Sequence, residues 1–258
     1  RAFIASFIMS SKPVALSHLV QKPESSNPAA LFVASGVHPH DAKSWTPEVE
    51  RELRELAFNP EVVAIGQCGL DYHRNFSPPE DQLRAFDRQV ALACELGKPL
   101  VLHEREAHGP LMEVLARHGS KLPKLVMHGF TGSRDLARRY VAMGCYVGLS
   151  GYLWKDKSED GVRRVLEEGV IPLDHLLLES DAPFLYPNPR ASKLPPHLRD
   201  APTARSLAFL NRYCTFQRNE PCSLPVTLEM AAACMRMPAD DLALRTTYTA
   251  LRVYGLSA

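Results

Sequence analysis

Short apolar runs alternate along this chain with segments whose apolar residues recur at helical spacing. The runs Phe3–Met9, Leu31–Ala34, Val62–Ile65, Leu100–His103, Leu125–His128, Tyr146–Leu149 and His175–Glu179 are bounded by Gly, Pro or polar residues, which predicts strands. The intervening segments carry helix start signals. Thr46-Pro47-Glu48 sets an N-cap before a proline, and Val49, Leu53 and Leu56 then share one face. Ser77-Pro78-Pro79-Glu80 reads as a capping box. It precedes a helix with Leu83, Phe86 and Val90 on its apolar side, ending at Gly97. Ser133 is placed to cap a helix carrying Leu136 and Tyr140 that ends at Gly144. Pro183 to Pro202 reads as a long loop, followed by helices over Ala204–Tyr213, Thr227–Met237 and Asp240–Tyr254.

Strand and helix in alternation with short links mean an α/β fold with a parallel sheet covered by helices. The regularity of the repeat favours a closed barrel over a doubly wound sheet, and no G-x-G-x-x-G follows the first strand. Seven strands are readable where a (β/α)8 TIM barrel needs eight, and the chain opens at Arg1 directly into a strand. The expectation is therefore one domain over 1–258, a TIM barrel lacking its first strand and truncated at the N-terminus.

Composition narrows the function classes. Hydrophobic residues at 45% and charged residues at 23% exclude a disordered or fibrous chain. No apolar run approaches the roughly 18 residues that would span a bilayer, so no membrane role is expected. Thirty Lys+Arg against 29 Asp+Glu leave a net charge of +1, which argues against a broadly basic nucleic-acid binder but not against an enzyme with a local site. Six scattered cysteines without a C-x-x-C pair suggest reduced thiols and a cytoplasmic or nuclear setting.

The predicted C-terminal strand ends, where such barrels place their chemistry, are unusually polar. They read Gly36-Val37-His38-Pro39-His40-Asp41, Gly66-Gln67-Cys68-Gly69-Leu70-Asp71, His103-Glu104-Arg105-Glu106, His128-Gly129-Phe130-Thr131-Gly132 and Glu179-Ser180-Asp181-Ala182-Pro183. Folding would gather His103, His128 and Asp181 at one mouth, a donor set suited to a divalent ion with water in an open position. Asp181 would then accept the water's proton. Each residue has an ordinary alternative: a structural hydrogen bond for a lone histidine, a helix cap for Asp181, a turn for His38-Pro39-His40. The weight lies in their joint placement.

These five segments, in this order, resemble the TatD family of metal-dependent nucleases, and Arg218-Asn219-Glu220-Pro221 resembles the segment before the family's C-terminal helices. The resemblance covers nearly the whole chain. It implies hydrolysis of phosphodiesters, with bacterial members working from the 3′ end of single-stranded DNA or RNA, a divalent cofactor (Mg, Mn or Zn) and action as a monomer. It implies metal ligands at His103, His128 and Asp181, with Asp181 also catalytic. Substrate contacts fall on His38, His40, Asp71 and Arg105, whose planar guanidinium fits a phosphate; a surface ion pair with Glu106 is its ordinary alternative.

Two departures from the family pattern stand out. The third-strand motif usually carries a metal-bridging Glu where this chain has Gln67, whose amide can coordinate a metal without charge. The family's first strand, which in many relatives bears a His-x-His pair, would precede Arg1. A catalytically weakened relative that binds nucleic acid or protein is thus a second reading. An amide or lactone hydrolase is a third, disfavoured because no lysine sits at the strand ends. Arg134, Arg138, Arg139, Arg163 and Arg164 could guide a phosphate backbone or simply solvate a helix face. Tyr72, Tyr152 and Trp154 could stack a base, though loop packing is their default role.

Overall fold

The computed structural model describes residues 2–8, 30–191 and 194–256, giving the backbone alone for 2–8 and 30. Met9, the expected end of the first strand, lies outside them. The chain forms two compact units, Arg1–His128 and Gly129–Ala258.

In the first unit the strands are β1 (Ala2–Ile8), β2 (Ala30–Gly36), β3 (Val62–Asp71), β4 (Leu100–Arg105) and β5 (Leu125–Met127). They pair in sequence order, every pair parallel. Helices α1 (Pro47–Leu56), α2 (Pro79–Leu96) and α3 (His108–His118) link them, so this is α/β architecture as the periodicity predicts. Strand β3 is longer than its apolar run. It continues through Gly66-Gln67-Cys68-Gly69-Leu70-Asp71 because glycine lets neighbouring backbones close in. Gly69 has φ +140°, and a Cβ there would run into the His103 carbonyl oxygen; a Cβ on Gly36 would stand 2.7 Å from the Gly66 Cα. A motif that reads as a strand terminus is in fact strand, and it carries Gln67 and Asp71 into the unit's interior.

Helix α1 starts as expected, the Thr46 hydroxyl accepting the Val49 N–H. Helix α2 does not. Its N-cap is Pro78, with no side-chain cap. The Ser77 hydroxyl instead donates to the His40 carbonyl and accepts the Lys43 N–H, tying the helix start to the turn Pro39–Ser44. The inner face of α2 includes two buried glutamines beside Phe86 and Val90. Gln89 accepts from the Val37 N–H and donates to the Val37 carbonyl. Gln82 accepts from the Asp71 N–H and donates to the Asp71 and Ser77 carbonyls. Each saturates backbone groups just where β2 and β3 run out of sheet partners, which fixes the two loops bearing His38 and Asp71.

The second unit contains β6 (Tyr146–Leu149) and β7 (Leu176–Leu178), also parallel. Its helices are α4 (Arg134–Ala142), α5 (Val162–Glu167), α6 (Pro196–Arg199), α7 (Ala204–Tyr213), α8 (Leu224–Met235) and α9 (Ala239–Tyr254). Ser133 caps α4 through the Leu136 N–H as expected. The segment expected to be a plain loop after Pro183 contains the short helix α6. No helix among the described residues is long and apolar enough to cross a membrane.

Candidate active site

In the first unit three imidazoles meet around one carboxylate. One ring nitrogen from each of His38, His40 and His103 lies within 4.8 Å of the others. His40 Nε2 stands 2.8 Å and His103 Nε2 3.3 Å from the same oxygen, Asp71 Oδ2. Asp71 is fully buried, and its other oxygen accepts the Arg74 N–H at 2.8 Å. Burial opposes its ionisation, but hydrogen bonds from His103, the Arg74 amide and His40 outweigh that and hold the carboxyl well below the usual carboxylate range. A permanent carboxylate therefore orients two rings, the arrangement that commonly supports histidine ligands.

Two of the rings, His38 and His103, are kept neutral. Burial, with the neighbouring His103 and His40, lowers the His38 pKa to about 2. Burial also lowers that of His103 despite Asp71, with His128 and His40 adding to the effect. Neutral imidazole is the form that ligates metals. His38 differs from the other two in its wiring. It caps the turn Pro39–Ser44, and its Nδ1 accepts the His40 N–H at 3.2 Å. In the neutral ring the proton is then on Nε2, which makes His38 a donor toward the site.

With both His38 nitrogens used, the His40 and His103 nitrogens are left for an ion; ligand atoms about 2.1 Å from a tetrahedral ion stand about 3.4 Å apart, so the observed spacing, within 4.8 Å, requires closing by at most about 1.4 Å. The donor set, imidazole nitrogens backed by a buried carboxylate, fits a borderline divalent ion.

The remaining sequence-derived candidates fall as follows. His128 follows β5 and is half-buried, its N–H donating to the Leu102 carbonyl. Gln67 lies within β3 at 6% exposure. Arg105 ends β4 exposed and makes no ion pair with a described residue; Glu106 pairs with His73 instead. Asp181 belongs to the second unit, following β7 at φ +52°, with its carbonyl accepting the Phe184 N–H. Its loop is braced by Asn219, which donates from its side chain to the Ser180 carbonyl (2.8 Å) and from its backbone to the Pro183 carbonyl (2.9 Å). The basic track is largely consumed internally: Arg134 pairs with Asp160 and Glu168, Arg138 with Asp135, Arg164 with Glu167, and Arg163 with the Leu153 and Asp156 carbonyls.

Sequence reasoning missed Gln82, Gln89 and Asn219 as supports. The first two had a signal: polar residues seven apart, two helical turns, on the face shared by Phe86 and Val90.

The family model for TatD related DNase matches residues 3–255. A 3′-5′ ssDNA/RNA exonuclease TatD from Pantoea vagans is 40% identical over 241 residues, 93% of this chain and 84% of that protein. One of the same name from Cronobacter turicensis is 42% identical over 226 residues, 88% and 78% respectively. Among solved structures, the TatD homologue YJJV of Escherichia coli K12 superposes with TM-score 0.75 at 26% identity, covering 98% of this chain and 85% of that one. A TatD family hydrolase from Entamoeba histolytica reaches 0.77 at 19%, covering 98% and 84%, which speaks to the α/β TIM-barrel fold alone. A family match over nearly the entire chain, with relatives at this identity, places the chain in the TatD family.

Proposed function

We propose that this chain is a metal-dependent phosphodiesterase that shortens single-stranded DNA or RNA from the 3′ end. The observation that carries the proposal is the convergence of His38, His40 and His103 around the buried Asp71 carboxylate in a chain of this family. His40 and His103 are the nitrogens best arranged to hold the ion, with His128 and Asp181 assigned to the same task by their motif positions. A divalent ion, Mn, Zn or Mg, supplies Lewis acidity toward a phosphodiester and lowers the pKa of water. The chain's own residues do the rest. His38 offers Nε2–H to a phosphate oxygen. Arg105, exposed and uncommitted to any described acid, offers a bidentate fork. Asp71 is enclosed and fully engaged, so its role is to hold His40 and His103 in register rather than to touch substrate. Asp181 is assigned the proton of the attacking water. The domain expected over 1–258 acts as one hydrolase.

Incubation with a 3′- or 5′-labelled single strand and Mn²⁺ tests this. The expected result is laddering from the 3′ end, abolished by chelator and reduced at least a hundredfold in His103→Ala. Cleavage indifferent to chelator and to that substitution overturns it.

Gln67 favours a second reading, a site weakened by the loss of one charge. Gln67→Glu then raises metal-dependent cleavage and lowers the metal concentration for half-maximal activity about tenfold. Robust parental cleavage with no gain from that substitution discards it.

A further inference from the structure

Three aromatic rings of the second unit gather beside the Asp181 loop. Trp154 ends the turn Gly151–Trp154 after β6, Tyr186 follows β7, and Phe216 sits in the tight hairpin closed by the Thr215–Arg218 backbone pair. The Trp154 and Phe216 ring centroids are 6.0 Å apart at 59°, and those of Tyr186 and Phe216 6.3 Å apart at 64°. The Tyr186 and Phe216 rings meet edge to face, the Trp154 and Phe216 rings are tilted, and Trp154 and Tyr186 are half-buried. Phe216 is 62% exposed, and Phe184 in the adjoining loop is 69% exposed. Removing Phe216 from water contributes little to this fold, since most of its surface stays wet.

The rings are held in place by polar contacts. The Trp154 indole N–H donates to the Tyr186 carbonyl at 2.6 Å. Arg163 Nε donates to the Leu153 carbonyl, anchoring the turn from behind. The hairpin is followed directly by Asn219, whose two hydrogen bonds to Ser180 and Pro183 clamp it to the Asp181 loop. Cations border the rings: Lys155 Nζ is 5.4 Å from the Trp154 ring centroid, and Arg218 is largely exposed beside Phe216, its Nε 2.9 Å from Glu220. An exposed aromatic ring on a pinned scaffold, with Lys and Arg nearby, suits single-stranded nucleic acid bound without reading sequence.

We propose that Trp154, Tyr186 and Phe216 form a stacking platform for one base of the single strand, making Phe216 a positioning residue for cleavage. The proposal rests on the phosphodiesterase reading above and deepens it. Stacking of one base on one aromatic ring changes binding between about five- and 150-fold.

The test is a cycle between protein and substrate, using the parent, Phe216→Ala, Phe216→Leu and Phe216→Trp. Substrates are an intact single strand and a set made abasic at one position each. Phe216→Ala is expected to lower kcat/KM about tenfold on the intact strand, mainly through KM. One abasic position lowers parental kcat/KM by the same factor, and on that strand Phe216→Ala has no further effect. Phe216→Trp restores the loss and Phe216→Leu does not, which separates stacking from bulk. Equal losses on intact and abasic strands at every position, or no loss at all, overturn the platform. Chelator-sensitive cleavage by the parent reports separately on the phosphodiesterase reading. Should cleavage be absent, dissociation constants for the same strands, read by a 2-aminopurine placed in each, decide the platform by the same pattern.

Discussion

Asp71→Asn isolates what the buried carboxylate does, because it changes charge and hydrogen-bond pattern while keeping shape. In the parent, Oδ1 accepts the Arg74 N–H, while Oδ2 faces His40 Nε2 and His103 Nε2. Every group facing the side chain is a donor, so an amide cannot satisfy both ends. If the amide oxygen keeps Arg74, its NH2 faces the two rings and forces each to move its proton to Nδ1. If the amide flips, its NH2 meets the Arg74 N–H. The first orientation costs the charge assistance and the Nδ1 lone pairs of both rings, and the second costs the Arg74 bond. A charge-assisted hydrogen bond contributes about 1.5–3 kcal/mol, so the variant is expected to lose about 3 kcal/mol of stability. Loss of such an orienting carboxylate also costs metal affinity about 10- to 100-fold, or about 1.4–2.7 kcal/mol. The assay is activity against Mn²⁺ concentration for parent and variant at a temperature where denaturation curves show both folded. A half-saturating concentration raised at least tenfold supports the reasoning. The same metal dependence within twofold, in a folded variant, refutes it.

Other consequences follow from the same geometry. Gly69→Ala places a methyl against the His103 carbonyl at φ +140°, so a loss of about 3 kcal/mol and a fall of roughly 10 °C in Tm are expected; an unchanged melting curve would show that β3 and β4 do not approach as described. In chelator, acid should destabilise the protein early. With folded pKa values of His38 (about 2) and His103 below the ordinary 6.5, the unfolded chain binds more protons below that pH. The two histidines contribute nothing above pH 6.5 and a growing penalty as pH falls below it, each by up to about 1.4 kcal/mol per pH unit. The depressed Asp71 adds a further loss only below its unfolded value near 3.8. Urea midpoints flat from pH 7.5 to 5 would contradict this, and His38→Gln should lessen the slope. The Cys214 and Cys222 sulfurs lie 3.7 Å apart; burial pushes the pKa of Cys214 up to about 11 and that of Cys68 higher still, but Cys68 is fully buried with no thiol beside it among the described residues. Oxidised glutathione is therefore expected to remove two titratable thiols in Cys214 and Cys222 and leave Cys68 reduced, which peptide mapping checks.

Much of the scaffold was legible because burial on both faces of a parallel strand leaves a continuous apolar run, and among the described residues each of the seven runs contains a strand. What failed did so where a local signal met a tertiary demand. Ser77 has the spacing of a capping box, yet the turn below it offers the His40 carbonyl and the Lys43 amide, two partners instead of one. The end of β3 looks like a loop because glycine and aspartate are poor strand formers, but the partner strand β4 rewards close approach there.

The site shows the same division more sharply. Residue types at the strand ends point to the chemistry, since the His38, His40 and His103 nitrogens that lie within 4.8 Å of one another could hold a metal ion. The work of each residue is set by partners distant in sequence. His38 and His40 sit two apart and look equivalent. One accepts its neighbour's amide and becomes a donor, while the other is turned by Asp71, 31 positions away. Asp71 itself depends on Gln82, a residue that by composition is merely a polar interruption on a helix. Removing that glutamine would leave the Asp71 amide unsatisfied in a dry interior and loosen the carboxylate that aligns two rings. The support of this site is therefore written in polar residues at apolar positions, so substitutions there are expected to cost both folding stability and the alignment of His40 and His103.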